Sequence, residues 1–600
     1  MSDRTVLTVY LRDYYAPYLH HGETSASYFT SRVSDRRMVD ISLLTGYWGK
    51  VENTIKRGQH QRIVPRLSWS RATLVLGCRN VSSEEGTLKN LPCLLSNFEG
   101  QVKISHKTRS RCPLNCVTDF ERFFQQMQNV QFLDISGCSH ARDDSFRYFT
   151  NLKCLNMSRC SEEAITRDAF QYFTNLTSLK MSSCDQDAIT DDAFQHLTSL
   201  LSLDMSQCDQ DTITDNAFRH LTGLKSLDMV FCNQETITDD AFRHLTNLES
   251  LNICQCKQGT ITDDAFRHLR SLKSLDMTFC TQVADHAFQY FRNLRSLNIS
   301  RCSQEYITDD SFRDLVNLMS LDMVMCTQIT GDAFQHLVNL KSLDMSECDQ
   351  ETITYNAFRQ LANLQYLNMR LCNQTTITSD AFQHLTKLQF LDMSGCNQET
   401  IGDEALRHLT NLQSLNMSGC FQETISDDGL RHLTFLQCLN MHGCSQSTLT
   451  NDAFRHLMNL ASLDMSRCSQ ETITDDAFRH LTQLQVLKMR GCHQTTITQD
   501  AFRHLSNLRS LNMSGCHQET ITDDAFRHLA GLKSLEMSEC NQETITDDAF
   551  RHLNELQSLI MGECDQTTIT EHAFRHLPNL QCWLTGNAEI VSTIYDVPNW

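Results

Sequence analysis

The stretch "DTITDNAFRHLTGLKSLDMVFC" (Asp211–Cys232) is followed by "ETITDDAFRHLTNLESLNICQC" (Glu235–Cys256), a near-copy set 24 residues later. Within the preceding unit the apolar positions are Leu197, Leu200, Leu203, Met205, Cys208, Ile213, Ala217 and Phe218, and Leu221 opens the next one. Leu203 and Met205 lie two apart, the period of a strand with one buried face. The run "TITDNAFRHL" then changes to helical spacing, with Phe218 and Leu221 sharing a face. Thr214 is placed to cap that helix, acids follow in its first turn, and Arg219 and His220 stand near its end, where positive charge suits the helix dipole. A helix of about six to eight residues does not persist alone in water, because nucleation is costly. One short strand and one short helix also cannot close a core. Stacking many such units solves both problems, since each strand pairs with the next and each apolar set covers its neighbour's.

Outward from this stretch the pattern is regular. Nineteen cysteines fall at one phase of the repeat, from Cys138 to Cys564, and fifteen of the eighteen gaps are 24 residues while three are 22. Disulfide frameworks pair distinct partners at irregular spacing, so this ladder reads as a structural position for a small buried thiol. A thiol there can donate weakly to backbone carbonyls left over where the chain leaves the strand. The first 22 residues lack the basic start, apolar core and small-residue cleavage site of an export signal. A reducing compartment, cytoplasmic or nuclear, is therefore expected. No run of about 18 apolar residues suggests a membrane span. The formal net charge of −20 disfavours nucleic acid and anionic membrane as partners.

The spacing L-x-x-L-x-M-x-x-C resembles the leucine-rich repeat family in its cysteine-containing, F-box-associated-like form. The resemblance spans about residues 129–584 in some nineteen copies of period 24. It implies an α/β solenoid, with a curved parallel sheet on the concave side and short helices on the convex side. Residues 1–60 carry no repeat and read as a helical region. Their "SRVSDRR…W" run is similar to the second half of an F-box, a small helical module that docks onto the adaptor of cullin ubiquitin ligases. The Leu-Pro opening is missing and Trp48 lies about ten residues too far along, so a helical cap on the first repeat is the alternative. Residues 61–128 read as worn repeats and an N-terminal cap, with strands at "ATLVLGC" (72–78) and "QVKIS" (101–105) and a helix at "VTDFERFFQQM". Cys112 and Cys116 form a C-x₃-C pair without further ligands at zinc spacing. Residues 585–600 leave the pattern and read as a C-terminal cap.

No G-x-S-x-G, phosphate-binding glycine loop or H-E-x-x-H motif appears. Serines, aspartates and histidines recur at repeat phase, whereas an enzyme needs one asymmetric site. The chain is thus expected to be a non-enzymatic scaffold without cofactor or metal, binding a protein on its concave face. It could serve as the substrate-recognition subunit of a cullin-type ubiquitin ligase, with the N-terminus on the adaptor, or as a surface-exposed adhesion or host-interaction array. Strand alternation turns Ser202, Asp204 and Ser206 outward. The middle position is aspartate in eight turns, among them Asp204, Asp228, Asp276 and Asp322, and asparagine in seven, which relieves like-charge repulsion. This column reads either as an acidic groove or as a self-hydrogen-bonded ladder. The residue before the cysteine is apolar in alternate turns, at Phe231, Phe279, Met325 and Leu371. These form a candidate binding stripe, or else pack into the turn. The histidine series His196, His220, His244 and onward belongs on the convex side as a hydrated helix end.

Overall fold

A computed structural model of the chain describes residues 129–585, apart from 138–141, 161–164, 185, 258, 303–306 and 565–566. It also describes the strands Thr5–Leu11, Val39–Asp40, Ala72–Cys78, Gln101–His106 and Val591–Ser592. The chain forms two compact units, Met1–Leu294 and Arg295–Trp600. The F-box-like run, the helix expected at "VTDFERFFQQM" and the pair Cys112 and Cys116 lie outside the described residues.

In the first unit Thr5–Leu11, Ala72–Cys78, Gln101–His106 and Phe132–Asp134 pair in parallel, in that order. Three-residue strands follow from Cys154–Asn156 to Ser274–Asp276, each one repeat further on. The expected strands at 72–78 and 101–105 are therefore present. Thr5–Leu11 and Val39–Asp40 are extended within a region expected to be helical. The reason for the first is local: β-branched Thr5, Val6, Thr8 and Val9 favour a pleated surface. In the second unit the parallel ladder runs from Ser296–Asn298 to Cys582–Thr585, and Val591–Ser592 closes it antiparallel. Register pairs equivalent positions of successive repeats: Leu203 stands opposite Leu227, and Asp204 opposite Asp228.

Each unit is a leucine-rich-repeat solenoid, with the strands on the concave side and the helical turns on the convex one. Between them run columns of leucine, methionine, cysteine, isoleucine, alanine and phenylalanine; Leu203, Met205, Cys208, Ile213, Ala217 and Phe218 are at most 1% exposed. The helical turns are mostly 3₁₀ rather than α, as at Asp215–His220. Ala217 N donates to Thr214 O and Leu221 N to Phe218 O, both at 3.0 Å, three residues back. A six-residue turn closes more readily with such bonds, and three residues per turn still put Phe218 and Leu221 on one face. Thr214 is the cap expected, its Oγ1 accepting from Asn216 N at 3.2 Å.

One repeat is tied to the next by side chains as well as by the sheet. Cys232 Sγ donates to Met205 O at 3.0 Å. Thr236 Oγ1 donates to Ile213 O at 2.8 Å. Thr238 N and Oγ1 each donate to one oxygen of Asp215 at 2.7 Å, and Asn247 Nδ2 donates to Thr222 O at 3.0 Å. The first-turn aspartate thus does more than meet the helix dipole: it clamps the cap of the following turn.

Candidate binding face

The strand "SLD" fixes what faces outward. Leu203 points into the core, and Ser202 and Asp204 on either side of it are half-buried on the sheet face. Asp204 and Asp228 stand side by side, and Ser206 Oγ donates to a carboxylate oxygen of each, at 2.8 and 2.9 Å. Asp276 Oδ1 accepts from Thr278 N and Oγ1 at 3.0 and 2.6 Å. Asparagine does more than dilute charge in this column: Asn368 Nδ2 donates to Asp344 Oδ2 at 2.8 Å, and Asn416 Nδ2 to Asp392 Oδ2 at 2.7 Å. These hydrogen bonds to the carboxylates thus come from neutral neighbours. Asp464 differs, because Lys488 Nζ approaches it to 3.7 Å.

The pre-cysteine residue lies in the left-handed region of backbone space. φ is 56–60° at thirteen non-glycine positions, including Phe231, Phe279, Met325 and Leu371, and 64–70° at six glycines such as Gly395 and Gly443. A side chain there points out of the turn. Phe231, Phe279 and Met325 are 39%, 37% and 42% exposed, so these three do not pack into it. Leu371 is half-buried and leans over the next turn, where its Cδ2 lies 2.5 Å from the place a Cβ on Gly395 would occupy. In the first unit Phe231 and Phe279 stand with Asp204, Asp228 and Asp276, with the turn of Gln255 between the two rings. In the second unit Asp322 and Met325 share a repeat, and Leu371 lies two repeats on, beyond Glu347.

Sequence reading passed over one further feature. The first outward strand position, serine in most turns, is Tyr366 and then Phe390 in consecutive turns of the second unit. Their rings stack, with centroids 4.5 Å apart and planes 6° from parallel. The available signal was two adjacent departures from one serine column.

The cysteine ladder is structural. Cys184, Cys208, Cys232, Cys256 and Cys280 are buried, and each donates to the carbonyl at the strand end of the previous turn. Burial pushes the Cys348 and Cys444 thiols up to about 11 and those of Cys256 and Cys396 to about 12. They stay protonated at neutral pH, which keeps the S–H that donates and withholds the thiolate that reacts. On the convex side Arg219 Nε donates to His220 Nε2 at 2.8 Å, and Arg479 Nε to His480 Nε2 at 2.9 Å. Desolvation, then Arg479, holds the His480 imidazole below its ordinary range.

Comparison with known proteins agrees with this architecture. The family model for the BspA type leucine rich repeat region matches residues 119–225, 211–341, 305–441 and 447–581. No curated protein matches the chain. Among solved structures, the TLR13–ssRNA13 complex is similar at 24% identity and TM-score 0.51, over 76% of this chain and 63% of that one. The Toll–Spatzle complex of Drosophila is similar at 20% identity and TM-score 0.53, over 70% of this chain and 58% of that one. The chain thus spans about three fifths of the length of these two proteins, and the likeness is one of fold.

Proposed function

This chain belongs to the BspA-type leucine-rich repeat family, and we propose that it is a non-enzymatic protein-binding array whose strand face holds the partner. One observation carries the reading. Bulky apolar side chains stand exposed at a left-handed position that glycine fills in six other turns. The left-handed conformation costs an L-residue roughly 1–2 kcal/mol, so folding alone does not call for phenylalanine at 231 and 279. Nine of the thirteen non-glycine residues at this position are polar, so what sets these turns apart is the exposed ring, and exposed aromatics amid polar residues are the material of binding hot spots. The half-buried carboxylates beside them add charge complementarity to a basic partner.

Of the two settings for such an array, the family match supports an adhesion or host-interaction role, since it is to BspA-type repeats. The ubiquitin-ligase setting depends on residues 1–60, where the described strands lend it no support.

The test is capture of protein partners by the full chain and by two variants. Phe231→Ala with Phe279→Ala should abolish capture while the melting temperature holds. The reading fails if capture survives those changes and is lost instead on Arg219→Glu with Arg243→Glu, which alter the convex side.

A further inference from the structure

We propose that the Tyr366–Phe390 stack is a receptor for an arginine side chain of the partner, whose guanidinium lies on the outer face of Tyr366 in the slot above Ser342. This deepens the strand-face reading and rests on it.

Ser342, Tyr366, Phe390 and Ser414 occupy the same position in four successive paired strands. Each ring covers one face of the other, and each outer face looks over a serine too short to reach it. Strands repeat at about 4.8 Å. The place above Ser342, and above Ser320 beyond it, is left open by short side chains, and a third plane laid on Tyr366 would continue the stack at the spacing the first two already show. Both rings are half-buried, so their bodies are held by the sheet while part of each remains open to solvent. A flat, weakly hydrated guanidinium suits such a slot, whereas an ammonium is compact and strongly hydrated.

Charge selects the same occupant. Asp344 lies two positions along the strand from Ser342, with Asp322 beside it in register and Asp392 beyond the rings. Asp344 accepts from Ser346 N and Oγ at 3.0 and 2.7 Å and from Asn368 Nδ2 at 2.8 Å. Asp392 accepts from Ser394 N and Oγ at 2.9 and 2.7 Å and from Asn416 Nδ2. All these donors are neutral. Neither carboxylate has an ion pair among the described residues, although Asp464 in the same column has Lys488. The cation of this strand, Arg370, stands at the third outward position, two residues beyond Asn368. Burial, followed by Asp344, Asp392 and Asp322, raises the Tyr366 phenol above its ordinary range. The stack thus stands in a negative field. The Ser414 side offers less: its strand carries Asn416, and the next one Asn440.

The experiment titrates the full chain with fluorescein-labelled hexa-arginine and hexa-lysine and reads anisotropy. The comparison is with Tyr366→Ser/Phe390→Ser, which restores the serine column that most turns carry. Wild type should bind hexa-arginine at least tenfold more tightly than hexa-lysine, and the double variant should bind both peptides alike. Asp344→Asn should weaken hexa-arginine severalfold. Equal binding of the two peptides by wild type overturns the proposal, and so does a double variant that keeps its arginine preference. Binding of the neutral sugar cellohexaose, lost in the double variant, also overturns it, by making the rings a carbohydrate platform. No arginine preference in wild type, with Phe231-dependent protein capture intact, removes this slot alone. No arginine preference in wild type and no Phe231-dependent capture removes the strand-face reading as well.

Discussion

Replacing Cys372 with alanine tests the central physical claim, that each turn borrows the thiol of the next. Cys372 is fully buried, and its Sγ donates to Met345 O at 3.0 Å. The same carbonyl accepts Cys348 N at 3.2 Å, so one oxygen is shared between its own turn and the following one. Alanine removes the second donor, a loss of about 0.5–1.5 kcal/mol for a neutral hydrogen bond. It also removes a buried group about the size of a methylene and leaves part of its space empty, which adds about 1–1.5 kcal/mol. The expected cost is about 1.5–3 kcal/mol, on the order of a 10- to 100-fold change in the local opening constant. Native-state hydrogen exchange read by mass spectrometry resolves this segment by segment. In a solenoid the effect should be confined to near neighbours. Peptides over Met345–Cys372 should exchange faster, while those over Gln499–Cys516 should not change. Unchanged exchange at 345–372, or an acceleration spread evenly over the second unit, would refute the reasoning.

Other outcomes follow from the same ladders. Asp239→Ala removes both acceptors that hold Thr262 N and Oγ1 at 2.7 Å; it should cost about 1–2 kcal/mol by urea titration. Asp239→Asn should cost less than half of that, because Asn451 already holds Thr474, accepting its N–H at 2.7 Å and donating to its Oγ1 at 2.9 Å. Native protein treated with a thiol reagent should lose the exposed Cys438 first among the described cysteines, and the buried column should titrate only on denaturation. The Cys348 and Cys444 thiols stand above their ordinary 9.0, at about 11. Their contribution to stability is therefore complete below pH 9 and is lost as the pH rises through about 11, since the unfolded thiols ionise first. Thermal unfolding measured from pH 8 to 11 should show that decline; a flat profile would contradict it. Gly443 has φ +69° with open space around it, so Gly443→Ala should lower stability by only about 1 kcal/mol, the left-handed penalty less the entropy gained in the unfolded chain.

Much of this was legible in the residues because a repeat writes its geometry many times. The two-residue step from Leu203 to Met205 set the buried face of the strand, and Asp204 and Ser206 fell on the outside as alternation requires. The single-phase cysteines announced a buried column. Other features escaped because their signals belong to contacts between turns. Six residues such as "DNAFRH" satisfy either helical period, and only packing showed 3₁₀ geometry. Glutamine reads as a surface residue. Yet Gln210, Gln234 and Gln374, two places after the cysteine, are at most 4% exposed, because the next coil covers them. The left-handed turn before each cysteine was masked by the thirteen positions where other residues replace glycine.

By itself the sequence determined the repeat length, the inward and outward faces of each strand, the buried thiol column and the capping threonine, because each depends on residue type at a fixed local spacing. Tertiary structure decided where those residues meet their neighbours in space. It turned Asp215 into a clamp on Thr238, stood Phe231 out of its turn, and brought Tyr366 against Phe390 as one stack. The physical reason is that residues 24 apart along the chain become next neighbours across about 4.8 Å only once the coils are stacked.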